Sequence, residues 1–403
     1  MEIKNIIKNL VDPLGIPSFP FLFQFLMVLT FVIHILFVNL TLGSVLMSLF
    51  LSFKKDEYSK KLSSTLIRAT PFFISMSILF GIAPLLFVQV IYDAFFYTAS
   101  VLLGLYVVLF IFAMMLGYTL IYISYFKKEK NENLFKVLTI ISFVLFLFSG
   151  FVMHAISYLS LIPEKWMEIF TSSEPVNTSG TQLKHFQISR FLHFIIPSFL
   201  NLGIFLMLYS EYYKDREDID KKYIDFVYTK GAKLSFYFII LQILIGLWFL
   251  LEIPAKFNFY LNPLLIVGVL LSLILAFFLY KNLREKKVDL KVITILSLLT
   301  LFFMSYSRES LRTAYLSQFD YSIFNYKVNL DIGSLLLFLL TFIMGLVVIS
   351  FLIYVPYRAG KTKGIYSPTE KVYNWGKIVI SLMIIWLIVM VILGIFITIN
   401  NTL

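Results

Sequence analysis

The chain has 403 residues, of which 60% are hydrophobic and 14% charged, and its mean hydropathy is +0.88. Soluble domains carry about 25% charged residues, so most of this chain is predicted to lie in lipid. The absence of cysteine excludes disulfides, cysteine-ligated zinc, iron–sulfur clusters and covalently attached c-type haem within the chain. The net charge of +11 is attributed to short basic loops at the membrane surface, and nucleic acid is not expected as a partner.

Ten apolar segments follow one another along the chain, each close to or above the length of about 20 residues that crosses a bilayer. They lie at about 21–53, 70–93, 97–126, 136–162, 191–212, 234–252, 261–280, 291–307, 331–356 and 376–399. The predicted fold is therefore an all-α, polytopic transmembrane helical bundle of about ten spans. The eighth segment is short, because its apolar run ends at Ser307 and a charged residue follows.

The distribution of basic residues predicts the orientation of the bundle. The five loops that follow the odd-numbered spans hold 25 of the 34 Lys and Arg residues, and the N-terminus and the remaining loops hold 9. Cytoplasmic loops carry an excess of Lys and Arg, so the first set is predicted to face the cytoplasm and both termini to face outward. The protein is accordingly expected to be a multi-pass protein of the cell inner (cytoplasmic) membrane.

Four histidines are the candidate metal ligands, and all of them are predicted to lie in the outer half of the membrane: His34, His154, His185 and His193. Histidine inside hydrocarbon is costly unless it is bound to something, and neutral imidazole is the usual axial ligand of haem b. The grouping predicts one to three haem b molecules. For any single histidine, a hydrogen bond to a neighbouring helix is the simpler interpretation.

Two arginines at the outer end of the eighth span are candidate partners for haem propionates. Arg308 and Arg312 are four residues apart and so share one helical face. Arginine stays charged and pairs with carboxylates through two parallel hydrogen bonds. Ordinary snorkelling of the two side chains to the membrane interface explains the same pattern equally well.

Two segments resemble subunit I of the cytochrome bd quinol oxidases. Residues 23–25 read Phe-Gln-Phe, and residues 34–43 read His-Ile-Leu-Phe-Val-Asn-Leu-Thr-Leu-Gly, which is similar to the family's first helix around a haem-ligating histidine. Residues 190–193, Arg-Phe-Leu-His, resemble the family segment whose histidine ligates the low-spin haem b. The resemblance implies ligand roles for His34 and His193. A weaker likeness at residues 342–346 implies that Met344 is a further ligand.

The sequence also departs from that family. The third span, about 97–126, contains no carboxylate, whereas the family has two glutamates there, and the family's long outer loop after helix 6 is missing. The resemblance therefore implies a haem-bearing bundle over residues 1–212, with additional spans 6 to 10 over residues 213–403. The implied function is a b-type cytochrome that passes electrons between a quinone/quinol pool and an outward-facing partner such as a c-type cytochrome, without oxygen reduction.

Two other classes of function stay open from the sequence. A secondary transporter predicts intramembrane charges or broken helices around a midplane site, and the main helix breakers here are Pro84 and Pro197. A membrane scaffold subunit of a respiratory complex predicts no cofactor at all. The presence or absence of haem in the purified protein distinguishes both from the cytochrome.

Overall fold

A computed structural model of the chain describes residues 3–171, 176–286 and 288–402. The described residues form fourteen α-helices, and ten helical segments are long and apolar enough to cross a membrane, which confirms the all-α fold and the ten predicted spans. The helices are α1 Ile3–Leu10, α2 Pro20–Ser52, α3 Glu57–Ile91, α4 Asp93–Leu102, α5 Gly104–Lys127, α6 Glu132–Leu159, α7 Trp166–Phe170, α8 Ile188–Ile195, α9 Pro197–Tyr213, α10 Lys221–Glu252, α11 Pro263–Glu285, α12 Leu290–Leu316, α13 Ile332–Gly360 and α14 Glu370–Thr402.

Most helix starts follow from local sequence. The side chain of Asp56 accepts a hydrogen bond from a backbone amide in the first turn of α3, and Asn131 and Asn262 do the same for α6 and α11. Such capping satisfies amides that have no partner within the helix. Pro197 separates α8 from α9 within the fifth span, because proline has no amide hydrogen to donate to the preceding turn.

Four spans differ most from their predicted limits. One of them is the sixth, α10, which begins at Lys221 rather than at residue 234. The third span is preceded by a separate short helix, α4, because the backbone leaves helical geometry at Leu103 before α5 begins. The second span begins at Glu57, well before residue 70, since its first turns are amphipathic rather than apolar. The eighth span does not end at residue 307 but continues to Leu316, which places Arg308 and Arg312 inside α12. Charged residues ended the apolar pattern there without ending the helix.

The chain divides into two compact units. The first contains residues 1–211 and 225–329, and in it α2 packs along α3, α5 along α6, and α11 along α12. The second contains residues 212–224 and 330–403, in which α13 packs against α14. The predicted division into a haem-bearing bundle over residues 1–212 and additional spans over residues 213–403 stays a prediction. It concerns where haem would be bound, which the compactness of the units does not test.

Glycines allow close crossings of three helices in the first unit. A Cβ atom added at Gly203 in α9 would lie 2.5 Å from the Ser235 amide nitrogen and 2.7 Å from the Gly231 carbonyl oxygen, both in α10. A Cβ atom added at Gly43 in α2 would lie 2.5 Å from the carbonyl oxygen of Ser198. Backbones therefore approach one another directly at these points, as small residues permit in membrane bundles.

Lys128 follows α5 at the predicted cytoplasmic end and is partly buried. Its ammonium group donates a hydrogen bond of 2.6 Å to Ser63 Oγ and lies 3.8 Å from the centre of the Phe135 ring. Burial lowers the pKa of Lys128 from 10.5 to about 8; the neighbouring Glu132 opposes this shift, and Lys136 and Lys60 add to it. Part of the population is therefore neutral in the folded protein near pH 8.

We expect Lys128→Met to be more favourable for stability at pH 7 than at pH 10.5. Between pH 8 and 10.5 the folded state binds fewer protons than the unfolded state. Burial of the charged ammonium group therefore destabilises the folded protein fully below about pH 8, and this destabilisation decreases as the pH rises and the lysine becomes neutral. Thermal unfolding of the detergent-solubilised variant and wild type across this range measures the difference. Lys130→Met, at an exposed lysine, is the control, and an equal pH profile for both variants would contradict the burial of Lys128.

Candidate functional site

The four histidines lie on separate elements toward the predicted outer end of the first unit. His34 is in α2, His154 in α6 and His193 in α8, while His185 lies in the segment before α8. Among the described residues, no three His, Asp or Glu side chains are grouped closely enough to hold one metal ion. Axial ligation of a haem needs only one or two such side chains, so each histidine has to be judged by its own hydrogen bonds.

The imidazole of His34 is held against α3. Its Nδ1 atom lies 2.7 Å from the carbonyl oxygen of Ser77, and a Cβ atom added at Gly81 would lie 2.8 Å from the ring. A carbonyl oxygen can only accept, so Nδ1 carries the proton and the lone pair is on Nε2. A hydrogen bond from one ring nitrogen to a backbone carbonyl is the arrangement that orients metal-ligating histidines. His34 therefore has the tautomer that an axial ligand requires.

The imidazole of His193 packs against α10. A Cβ atom added at Gly246 would lie 3.0 Å from the ring, and Gln242 Nε2 lies 3.0 Å from both His193 Nδ1 and the His193 carbonyl oxygen. Gln242 donates to Nδ1 in this arrangement, while its own Oε1 is buried without a hydrogen-bond partner. With Gln242 as the donor, the lone pair of His193 is on Nδ1 and the proton on Nε2. Rotation of the amide would present Oε1 to an Nδ1 proton and move the lone pair to Nε2.

The other two histidines have different surroundings. His154 is buried, and its Nε2 accepts a hydrogen bond of 3.1 Å from the backbone amide of Gln187, which leaves a protonated Nδ1 without a partner. This bond ties α6 to the segment before α8 and favours a structural role over ligation. His185 is partly buried, and its Nε2 has no hydrogen-bond partner. Ligand roles for His154 and His185 stay predictions.

Arg308 and Arg312 converge on a carboxylate that the sequence analysis overlooked. Glu309 is 1% exposed, and its oxygens lie 3.3 Å from Arg308 Nη1 and 3.0 Å from Arg312 Nη1. The Arg308 guanidinium lies 4.5 Å from the centre of the Phe31 ring, and that of Arg312 lies 4.5 Å from the Tyr92 ring. The spacing of three residues between Glu309 and Arg312 is a helical ion-pair pattern that the sequence contained. The sequence analysis paired Arg308 with Arg312 and left out the carboxylate between them.

A third arginine joins this group. Arg190 in α8 is 4% exposed, donates a hydrogen bond of 3.1 Å to Ser157 Oγ, and interacts electrostatically with Arg308 and Arg312. We call Arg190, Arg308, Arg312 and Glu309 the arginine cluster. Its three guanidinium groups and one carboxylate carry a net charge of +2. Buried charges without a counter-charge are strongly unfavourable, so the arginine cluster is suited to bind two negative charges.

Two further residues complete the description of the site: an aromatic residue near His34 and the predicted ligand Met344. Phe31 lies one turn before His34, and its ring centre is 6.4 Å from both the His34 ring and the Phe194 ring, so Arg308 and His34 contact the same aromatic side chain. Met344 lies in α13 of the second unit and is partly buried. Its role as a ligand stays a prediction.

The fold and these side chains define the class of the molecule as a multi-pass helical membrane protein with a group of buried and partly buried arginines and histidines toward one end. No protein-family model matches the chain, and no curated protein matches its sequence. Among solved structures, it is similar to the bd oxidase from Geobacillus thermodenitrificans, with a TM-score of 0.65 and 12% sequence identity. The match covers 84% of this chain and 98% of that chain. The chain thus has a distant bd-oxidase-like fold, as the two sequence segments implied.

Proposed function

We propose that the protein is a membrane-bound b-type cytochrome that carries haem in the outer half of the bundle. The observation that carries the proposal is the combination of His34, whose free lone pair is on Nε2, with the arginine cluster and its net charge of +2. Haem bears two propionates, whose charges would balance the cluster. The likeness of the fold to a bd oxidase supports the same function. When bound, haem would supply reversible one-electron transfer through its iron.

The side chains of this chain would divide the binding of haem between them. His34 would hold the iron through Nε2, oriented by the carbonyl oxygen of Ser77. His193 is the second candidate, and it would need the Gln242 amide rotated so that Oε1 accepts from Nδ1. Arg308, Arg312 and Arg190 would bind the propionates. Such a site would accept electrons from a quinol and pass them to an outward-facing redox protein such as a c-type cytochrome, in the inner (cytoplasmic) membrane.

We expect His34→Ala to abolish most haem binding, while His154→Ala leaves the haem content unchanged. Loss of a group that merely orients a metal ligand costs about 10–100-fold in affinity, and loss of the ligand itself costs at least as much. Both variants remove an imidazole from the same end of the bundle, so they form a matched pair. The measurements are the pyridine haemochrome content per chain and the reduced-minus-oxidised spectrum of protein purified from a haem-sufficient host.

The outcomes of this experiment separate the three classes of function. A coloured wild type and a colourless His34→Ala protein support the proposal. Equal haem loss in both variants would contradict the assignment of His34 as a ligand and His154 as a structural residue. A colourless wild type from the same host would reject the cytochrome and favour the transporter or the non-haem scaffold.

A further inference from the structure

Buried hydroxyl groups line the interface between α2 and α3. On α2 they recur three or four residues apart, and on α3 seven residues apart, so each set occupies one helical face. Every member is at most 6% exposed: Thr41, Ser44, Ser48 and Ser52 on α2, and Ser63, Thr70 and Ser77 on α3. We call this set the hydroxyl seam. From Thr41 to Ser52 the hydroxyl seam covers about 17 Å along α2, and from Ser63 to Ser77 about 21 Å along α3.

The cytoplasmic end of the hydroxyl seam is hydrogen-bonded to a lysine. Lys128 Nζ donates to Ser63 Oγ over 2.6 Å, and Ser63 Oγ lies 3.2 Å from Ser48 Oγ. The Ser48 and Ser63 hydroxyls also donate to each other's backbone carbonyls, over 2.8 Å and 2.6 Å. Lys128 exchanges its proton near neutral pH, because burial lowers its pKa to about 8. A proton donor and acceptor therefore stands at this end of the seam.

The outer end of the hydroxyl seam reaches an imidazole. Thr41 Oγ1 lies 3.3 Å from Ser77 Oγ, and the carbonyl oxygen of Ser77 accepts from His34 Nδ1. The polar contacts at the two ends leave one gap, between Ser48 and Thr41, which are seven residues apart on α2. Ser44 lies within this gap, and Thr70 lies at the corresponding level of α3 between Ser63 and Ser77.

Ser44 is the member of the hydroxyl seam that indicates a bound water molecule. It is 0% exposed, and its Oγ atom has no hydrogen-bond partner, whereas Thr70 donates to the Leu66 carbonyl and Ser77 to the Phe73 carbonyl in their own helix. A buried hydroxyl without a partner is costly, and such groups in proteins are commonly satisfied by ordered water. A water molecule bound at Ser44 would sit between the two hydrogen-bonded ends of the seam.

We propose that water bound at Ser44 completes the hydroxyl seam as a hydrated route that gives protons from the cytoplasmic face access to the level of His34. Each hydroxyl on the route can accept a proton through a lone pair while its own proton moves to the next oxygen, and it must then rotate before it can pass on the next proton. A role for the route beside a haem depends on the proposed function, but the existence of the route does not.

The test compares two cysteine variants of the full-length protein, which has no native cysteine. Ser44→Cys places a single thiol in the seam, and Val45→Cys places one at the same depth in an apolar cluster, at a side chain that is also 0% exposed. Infrared spectroscopy follows the loss of the S–H stretching band after transfer into D₂O. We expect exchange at Ser44→Cys to be at least about tenfold faster, because a thiol exchanges only where water reaches it.

Equal exchange rates for the two thiols would overturn the proposal and leave the hydroxyls as small residues for close helix packing. Thr41→Cys against Leu42→Cys gives a second pair if Ser44→Cys fails to fold. Adding Ser48→Val to Ser44→Cys should slow exchange, and an unchanged rate would reject entry from the cytoplasmic end. Fast exchange of the Ser44→Cys thiol in a colourless protein would support the hydrated route and reject the cytochrome proposal. Slow exchange in a haem-loaded protein would reject the hydrated route and support the cytochrome proposal.

Discussion

Replacement of Glu309 by glutamine is expected to destabilise the protein by about 3–5 kcal/mol, the usual cost of removing one partner from a buried ion pair. The change keeps the size of the side chain but leaves Arg312, which is 6% exposed, and Arg308 without a carboxylate. The net charge of the arginine cluster would rise from +2 to +3. Thermal or denaturant unfolding in detergent measures the effect.

An exposed ion pair provides the control for Glu309→Gln. Glu168 lies 2.8 Å from Lys165 with both side chains about half exposed, so Glu168→Gln should change stability by no more than about 1 kcal/mol. A double variant, Glu309→Gln with Arg312→Gln, should be less destabilised than the sum of the two single variants, because no unpaired charge remains between them. Additive effects would show that Glu309 and Arg312 are not coupled.

The second large effect is expected at the crossing of α9 and α10. Gly203→Ala should destabilise the protein by about 1–3 kcal/mol, as overpacking does, because the new methyl group would meet two backbone atoms of α10 that no side-chain rotation can move. Gly203→Val adds two more carbons at the same point and should prevent correct assembly. Unfolding in detergent and the yield of monodisperse protein are the measurements.

A glycine in an open position is the matched control for Gly203. A Cβ atom added at Gly394 in α14 meets nothing within 4 Å, and alanine is favoured over glycine in helix interiors by about 1 kcal/mol. Gly394→Ala should therefore be neutral or stabilising. Similar stability for Gly203→Ala and Gly394→Ala would mean that α9 and α10 do not cross at Gly203.

The candidate haem site joins features that were predicted separately from the sequence. His34 was chosen for its intramembrane position and for the segment around it, and its hydrogen bond to Ser77, 43 residues away, gives it the tautomer of a ligand. Arg308 and Arg312 were chosen as a pair on one helical face, and they share Glu309. Arg190 precedes the predicted ligand His193 by three residues, but only the tertiary structure shows that it interacts electrostatically with Arg308 and Arg312.

The sequence by itself determined the ten spans, because a run of about 20 apolar residues must be buried in lipid as a helix whatever its neighbours are. It also located the four histidines. The sequence-based end of α12 was too early. Hydropathy falls at Arg308 because that residue is charged, and a hydropathy profile does not include the ion pair that Arg308 forms with Glu309 in the same helix.

The tertiary structure decided which polar groups meet. The hydrogen bonds of His193 with Gln242 and of Ser63 with Lys128, and the electrostatic interaction of Arg190 with Arg308, join different elements of the chain. Helix periodicity carries no information about which elements are neighbours. Likewise, only the tertiary structure shows that Gly81 and Gly246 each pack against an imidazole ring. Burial in the membrane depends on the composition of each segment alone, so the spans could be predicted from the sequence. Hydrogen-bond partners depend on how the helices pack, so the partners of the candidate site residues could be identified only from the tertiary structure.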